Sequence, residues 1–136
     1  MIAFLDAGAL IYLIEGEEPF ATRVRAALAK AAKRHPDLDI AVSRLSWLEC
    51  RVRPARDNAL DVLASFDAFF ARPDLAWVEP TRDVVELATA LRIRHGLRTP
   101  DALQAASCLQ FGPKHAFFTG DGGFKKVTGL KIAELA

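Results

Sequence analysis

Short, continuously apolar runs alternate with helical stretches along this chain, and that alternation leaves few folds open. Ile2-Ala3-Phe4-Leu5 is the first run, and a strand with no polar side is one buried on both faces. Asp39-Ile40-Ala41-Val42, Leu75-Ala76-Trp77-Val78 and His115-Ala116-Phe117-Phe118 follow, and Leu130-Lys131-Ile132 is a fifth, expected at an edge. Between them lie helical patterns. Ala7 to Ile14 reads as a short buried helix. Pro19 opens a second, with Phe20, Val24, Leu28 and Ala31 on one face and Arg23, Arg25, Lys30 and Lys33 on the other. Ser43 caps a third, in which Leu45, Leu48 and Val52 form the apolar stripe, Glu49 borders it and Pro54 ends it. Asp57 caps a fourth, with Leu60, Leu63, Phe66 and Phe70 inward. Thr81 caps a fifth, with Val84, Val85, Ala88 and Leu91 inward, closing at His95-Gly96. Thr99 caps a sixth and Pro100 opens it. Strands alternating with helices predict the α/β class: three layers, α/β/α, around a mostly parallel central sheet of about five strands. With no repeat or linker in 136 residues, one domain over residues 1–136 is expected.

Several function classes drop out early. Lys plus Arg number 18 against 17 for Asp plus Glu, so a nucleic-acid role has to rest on a local patch. The two cysteines, Cys50 and Cys108, sit in no metal-ligand spacing and make no disulfide framework, which suits a reducing cytoplasm. The apolar start lacks a basic leader and is broken by Asp6, so a signal peptide is not expected. No apolar run approaches the roughly 18 residues of a membrane span.

The stretch Thr99-Pro100-Asp101-Ala102-Leu103-Gln104-Ala105-Ala106 is the most informative. Asp101 falls in the first helical turn, where the helix dipole favours a negative charge. Ala102, Ala105, Ala106 and Ser107 let that helix lie close to its neighbours. In an open parallel sheet, ligands bind at the carboxyl ends of the strands. Asp6 and Asp121 each follow a strand, Glu49 lies on the helix after the second strand, and Asp101 opens the helix before the fourth. Singly, each has a structural explanation as a cap, a helix border or a turn residue. Together, four carboxylates converging on one edge repel unless a cation sits among them, and carboxylate oxygens suit Mg²⁺ or Mn²⁺.

These motifs resemble the PIN-domain family and, within it, the VapC-type toxins of prokaryotic toxin–antitoxin pairs. The resemblance is carried over nearly the whole chain by Phe4-Leu5-Asp6 with Ala9-Leu10-Ile11-Tyr12, Ser46-Trp47-Leu48-Glu49-Cys50-Arg51, the Thr99–Ala106 stretch, and Thr119-Gly120-Asp121-Gly122-Gly123-Phe124. It places the family's acidic positions on Asp6, Glu49, Asp101 and Asp121. It implies a Mg²⁺- or Mn²⁺-dependent endoribonuclease acting on RNA phosphodiesters, held in check by a cognate antitoxin protein, forming a homodimer or a toxin–antitoxin hetero-oligomer. Asp6, Asp101 and Asp121 would bind the ion, Glu49 a second ion or its water, with Thr119 and Arg98 in support. The chemistry implied is metal-assisted hydrolysis. The chain departs from the family pattern at Ala7-Gly8, where a Ser or Thr is usual, at Gly120, where Asn is usual, and at Gly123, where some members have an acid.

Other chemistries fit less well. His35, His95 and His115 lie in a loop, at a helix end and at a strand start, not paired as acid and base. There is no nucleophile elbow, and only Gly8 stands where a dinucleotide site needs three spaced glycines. A receiver domain wants paired acids after its first strand. Arg44, Arg51, Arg98, Lys125 and Lys126 are the cations expected near the edge, and Trp47 is expected in the core. The alternative of a different class is a non-catalytic PIN-fold module that binds protein or RNA, favoured by the Ala7-Gly8 and Gly120 departures and disfavoured by the four acids.

Overall fold

A computed structural model describes residues 1–133 and Leu135. It contains β1 (Ile2–Leu5), α1 (Ala7–Glu15), α2 (Phe20–Arg34), β2 (Asp39–Ser43), α3 (Arg44–Arg56), α4 (Leu60–Phe70), β3 (Ala76–Val78), α5 (Arg82–His95), α6 (Thr99–Leu109), β4 (His115–Phe118) and β5 (Ile132–Ala133). The strands form one sheet in the order β3-β2-β1-β4-β5, and every neighbouring pair is parallel. Among the described residues, no helix is long and apolar enough to cross a membrane.

Side chains of a strand alternate between the two faces of its sheet, and here both faces are covered. Phe4, Ala41 and Phe117 point to the layer of α5 and α6, where they meet Val84, Ala88, Leu91, Ala102, Ala105 and Ala106. Ala3, Leu5, Val42 and Phe118 point the other way, to Leu10, Val24, Cys50, Phe66 and Phe70 of α1 to α4. The α/β/α expectation therefore holds, with the sheet parallel throughout. The alanines of α6 are fully buried, so that helix lies against the sheet with no room for larger side chains.

Local details differ from the sequence reading, each for a physical reason. α3 buries Ser46, Cys50 and Pro54, while Leu48 and Val52 are about half exposed, because the small residues are the ones that permit close approach to α1 and α6. α3 continues past Pro54 to Arg56, with the proline ring buried. Asp57 ends α3 instead of capping α4. Asn58 then turns the chain through the left-handed region at φ 56°, and α4 starts at Leu60, itself exposed. Arg98, not Thr99, is the N-cap of α6, and the Thr99 hydroxyl accepts from Arg92 (3.0 Å), tying α5 to α6. Trp47 is 41 % exposed, stacked beneath Arg51 and against Phe70.

The tight seat of α6 has a direct consequence. Ala105→Leu is expected to destabilise the protein by about 1–3 kcal/mol in urea denaturation, because the added atoms must displace the sheet, whereas Ala64→Leu on the exposed side of α4 should change stability by less than about 0.5 kcal/mol.

Candidate active site

The strand order creates a crevice. The chain steps from β1 to β2 to β3 on one side, then returns to place β4 and β5 on the other, so the carboxyl ends of β1 and β4 part at a topological switch point. Leu5 pairs with Phe118, which sets Asp6 beside Thr119, and the Asp6 amide donates to the Phe118 carbonyl (3.2 Å). α3 leaves the carboxyl end of the adjacent β2 carrying Glu49. α6 runs back towards the start of β4, so its first turn, with Asp101, returns to this same edge.

Asp6 is 7 % exposed and caps α1, its Oδ1 accepting from the Ala9 amide (2.8 Å). Burial lifts its carboxyl to about 6. The Thr119 side chain and the Ala9 amide oppose the rise, and the charges of Glu49 and Asp101 add to it. Glu49 is half-buried and is also raised, first by burial and then by Asp101, against a hydrogen bond from Gln104 and the charge of Arg98. Asp6, Glu49 and Asp101 thus lie within electrostatic reach of one another. Asp121 is exposed at the rim. Its Oδ1 accepts from the Gly123 amide (2.8 Å) and its own amide donates to the Thr119 hydroxyl oxygen (3.0 Å), so Thr119 links it to the Asp6 side.

Each of the four acids has a partner of its own: the Ala9 amide for Asp6, Gln104 for Glu49, Arg98 for Asp101 (3.1 Å) and the Gly123 amide for Asp121. The second oxygens of Glu49, Asp101 and Asp121 accept no hydrogen bond from the described residues. Among those residues, no three His, Cys, Asp or Glu side chains sit close enough to form a ready-made metal cage. The donor set nevertheless fits a hard divalent cation: oxygen atoms only, with Asp6, Glu49 and Asp101 repelling one another. Of the cations expected here, Arg98 reaches the acids. Arg44 is taken by Glu79 and Trp77, and Arg51 by Asp67 and Trp47.

Gln104 and Ser46 belong to the site and had no role in the sequence reading. Gln104 Nε2 donates to both Ser46 Oγ and Glu49 Oε1, each at 3.0 Å. Its signal was a lone amide in a run of small buried residues, one turn after Asp101. The histidines stay outside. His115 is buried at the opposite end of β4, its Nδ1 on the Gly112 carbonyl (2.6 Å) and its Nε2 accepting from the Lys131 amide (3.0 Å). Both cysteines are free and buried, and burial pushes both thiols well up, so neither is a nucleophile.

A sequence model of the PIN domain matches residues 3–130. The chain belongs to the PIN domain family. No curated protein matches it. Three solved structures show the same fold. VapBC2 from Rickettsia felis, bound to a DNA fragment from its promoter, superposes with a TM-score of 0.76 at 17 % identity, covering 97 % of each chain. A toxin–antitoxin complex from Klebsiella pneumoniae gives 0.68 at 21 % identity, covering 97 % of this chain and 98 % of that one. VapBC-1 from nontypeable Haemophilus influenzae gives 0.68 at 16 %, covering 99 % and 98 %.

Within this PIN domain the glycine at position 120 has a local cause. A Cβ there would come within 2.7 Å of the Tyr12 ring, which is itself stacked on Phe20 with ring centroids 4.6 Å apart. The aromatic pair fills the space an asparagine side chain would need. Gly120→Ala is expected to cost about 1–3 kcal/mol in chemical denaturation, and less than half as much in a Tyr12→Ala background.

The raised Asp6 also makes a pH-dependent forecast. An acid that holds its proton more tightly folded than unfolded stabilises the fold below its unfolded pKa, and that contribution disappears as pH rises through about 6. Asp6→Asn keeps the helix cap and removes the charge. Without divalent cations it should raise the melting temperature by about 3–8 °C at pH 8 and change it little at pH 4, as read by thermal melts across that range.

Proposed function

We propose that this chain, as one domain over residues 1–136, is a Mg²⁺- or Mn²⁺-dependent endoribonuclease and the toxin of a toxin–antitoxin pair in the cytoplasm. The observation that carries the reading is the gathering of Asp6, Glu49 and Asp101 at the switch-point crevice, each from a different element, at the expense of stability. Two buried or half-buried acids with raised proton affinity are a poor way to hold a fold together and a good way to hold a cation. Asp6, Asp101 and Asp121 would hold the ion and Glu49 a second ion or bound water. When bound, the ion supplies acidified water and neutralises charge gathering on the phosphodiester. The chain's own residues do the rest. The Thr119 side chain favours the ionised form of Asp6 against its burial, and its hydroxyl anchors the Asp121 turn. Arg98, 81 % exposed at the N-cap of α6, holds Asp101 and is long enough to turn from it to a phosphate of the RNA.

An antitoxin partner is supported by the apolar surface of α3, where Leu48 and Val52 share one exposed face near Trp47. Of the similar structures named above, the Klebsiella pneumoniae one is described as a toxin–antitoxin complex. A homodimer or a toxin–antitoxin hetero-oligomer accords with this. The second reading, a non-catalytic module binding protein or RNA, draws on one observation: Arg98 already neutralises Asp101.

Cleavage of a structured RNA pool by the purified chain tests the two. The nuclease reading expects cutting with Mg²⁺ or Mn²⁺, none with chelator, a loss of at least about 100-fold in Asp101→Asn, and 5′-phosphate ends. Cutting that ignores chelator and leaves cyclic phosphates would overturn it. Absence of both cutting and Mn²⁺ binding would favour the binding module.

A further inference from the structure

α3 and α6 meet across one polar seam. Gln104 is 3 % exposed and lies among Ala102, Ala105 and Ala106, all fully buried. Its two Nε2 hydrogens go to Ser46 Oγ and Glu49 Oε1, residues one turn apart on α3. Its own Oε1 is buried with no hydrogen-bond partner among the described residues. Such an unpaired carbonyl works against the stability of the fold. Turning the amide over would offer Oε1 the Ser46 hydroxyl, but it would also set that oxygen against the Glu49 carboxylate. The amide therefore serves Glu49 and leaves itself unsatisfied. Gln104 also stands three residues after Asp101 on the same face of α6. Rigid helix geometry fixes it to Asp101, and a hydrogen bond fixes it to Glu49.

We propose that Gln104 is a positioning residue that sets the separation of Glu49 and Asp101 and holds the Glu49 carboxylate in the orientation a divalent cation requires. The proposal rests on reading these acids as a metal site. A seam built only for stability would be served as well by an apolar side chain of the same length, with no orphaned oxygen. Hydrogen-bond partners of metal-binding carboxylates characteristically control affinity by 10–100-fold.

The test is Mn²⁺ titration calorimetry on the RNA-free chain at pH 7.5, with melting curves of each metal-free protein. Gln104→Met should weaken Mn²⁺ binding at least tenfold while leaving the metal-free melting temperature equal or higher. In a Glu49→Gln background the same substitution should cause no further loss, because Gln104 acts through Glu49. Gln104→Asn, an amide one methylene shorter, serves with the same expectation for Mn²⁺ binding should the Met variant not fold. Wild-type Mn²⁺ affinity in the Gln104 variants, or an equal loss in the Glu49→Gln background, overturns the assignment and leaves the metal reading intact. A wild-type chain that takes up no Mn²⁺ removes the metal reading, and this assignment with it.

Discussion

A carboxylate at the end of a doubly covered parallel sheet is the constraint on which the rest of this structure depends. Asp6 follows directly on a strand packed on both sides, so its charge sits where water is scarce. The fold counters this in part with the Ala9 amide in the first turn of α1 and with the Thr119 side chain, which the pairing of β1 with β4 brings alongside. It then brings two more acids towards the same crevice. Like charges in such a place raise one another's proton affinity, and that strain is relieved by protonation, by Arg98 or by a cation. Stability and the proposed activity pull in opposite directions at this point.

Delivering those acids requires helices that approach closely. α6 has alanine where it meets the sheet, and α3 turns its serine and cysteine inward, leaving Leu48 and Val52 outside. The small inward residues set the two helices near enough for a glutamine to span them. The larger residues displaced outward leave an apolar surface that ordinary solubility does not favour. One packing choice therefore shapes both the crevice and the exposed face of α3.

The departures from the family pattern have local explanations. Gly120 accommodates the Tyr12–Phe20 stack, and without a side chain at Gly8 the Asp6 carboxylate is held by the Ala9 amide.

The order of strands and helices, the two-faced burial of the sheet and the grouping of acids on its carboxyl edge were legible in the residues alone. Apolar runs, caps and turn signals are local, and parallel sheets put strand ends on one edge. Asp6 and Asp101 could be placed there because one ends a strand and the other begins a returning helix. Which face α3 buries was decided only in three dimensions. Periodicity pointed α3 towards Leu45, Leu48 and Val52, and close packing against α1 and α6 selected Ser46, Cys50 and Pro54 instead. The Gln104–Glu49 bond joins residues 55 apart in sequence, and Tyr12 excludes a side chain at a glycine more than a hundred residues away. Such pairings depend on distances between elements, which packing sets and no local pattern encodes.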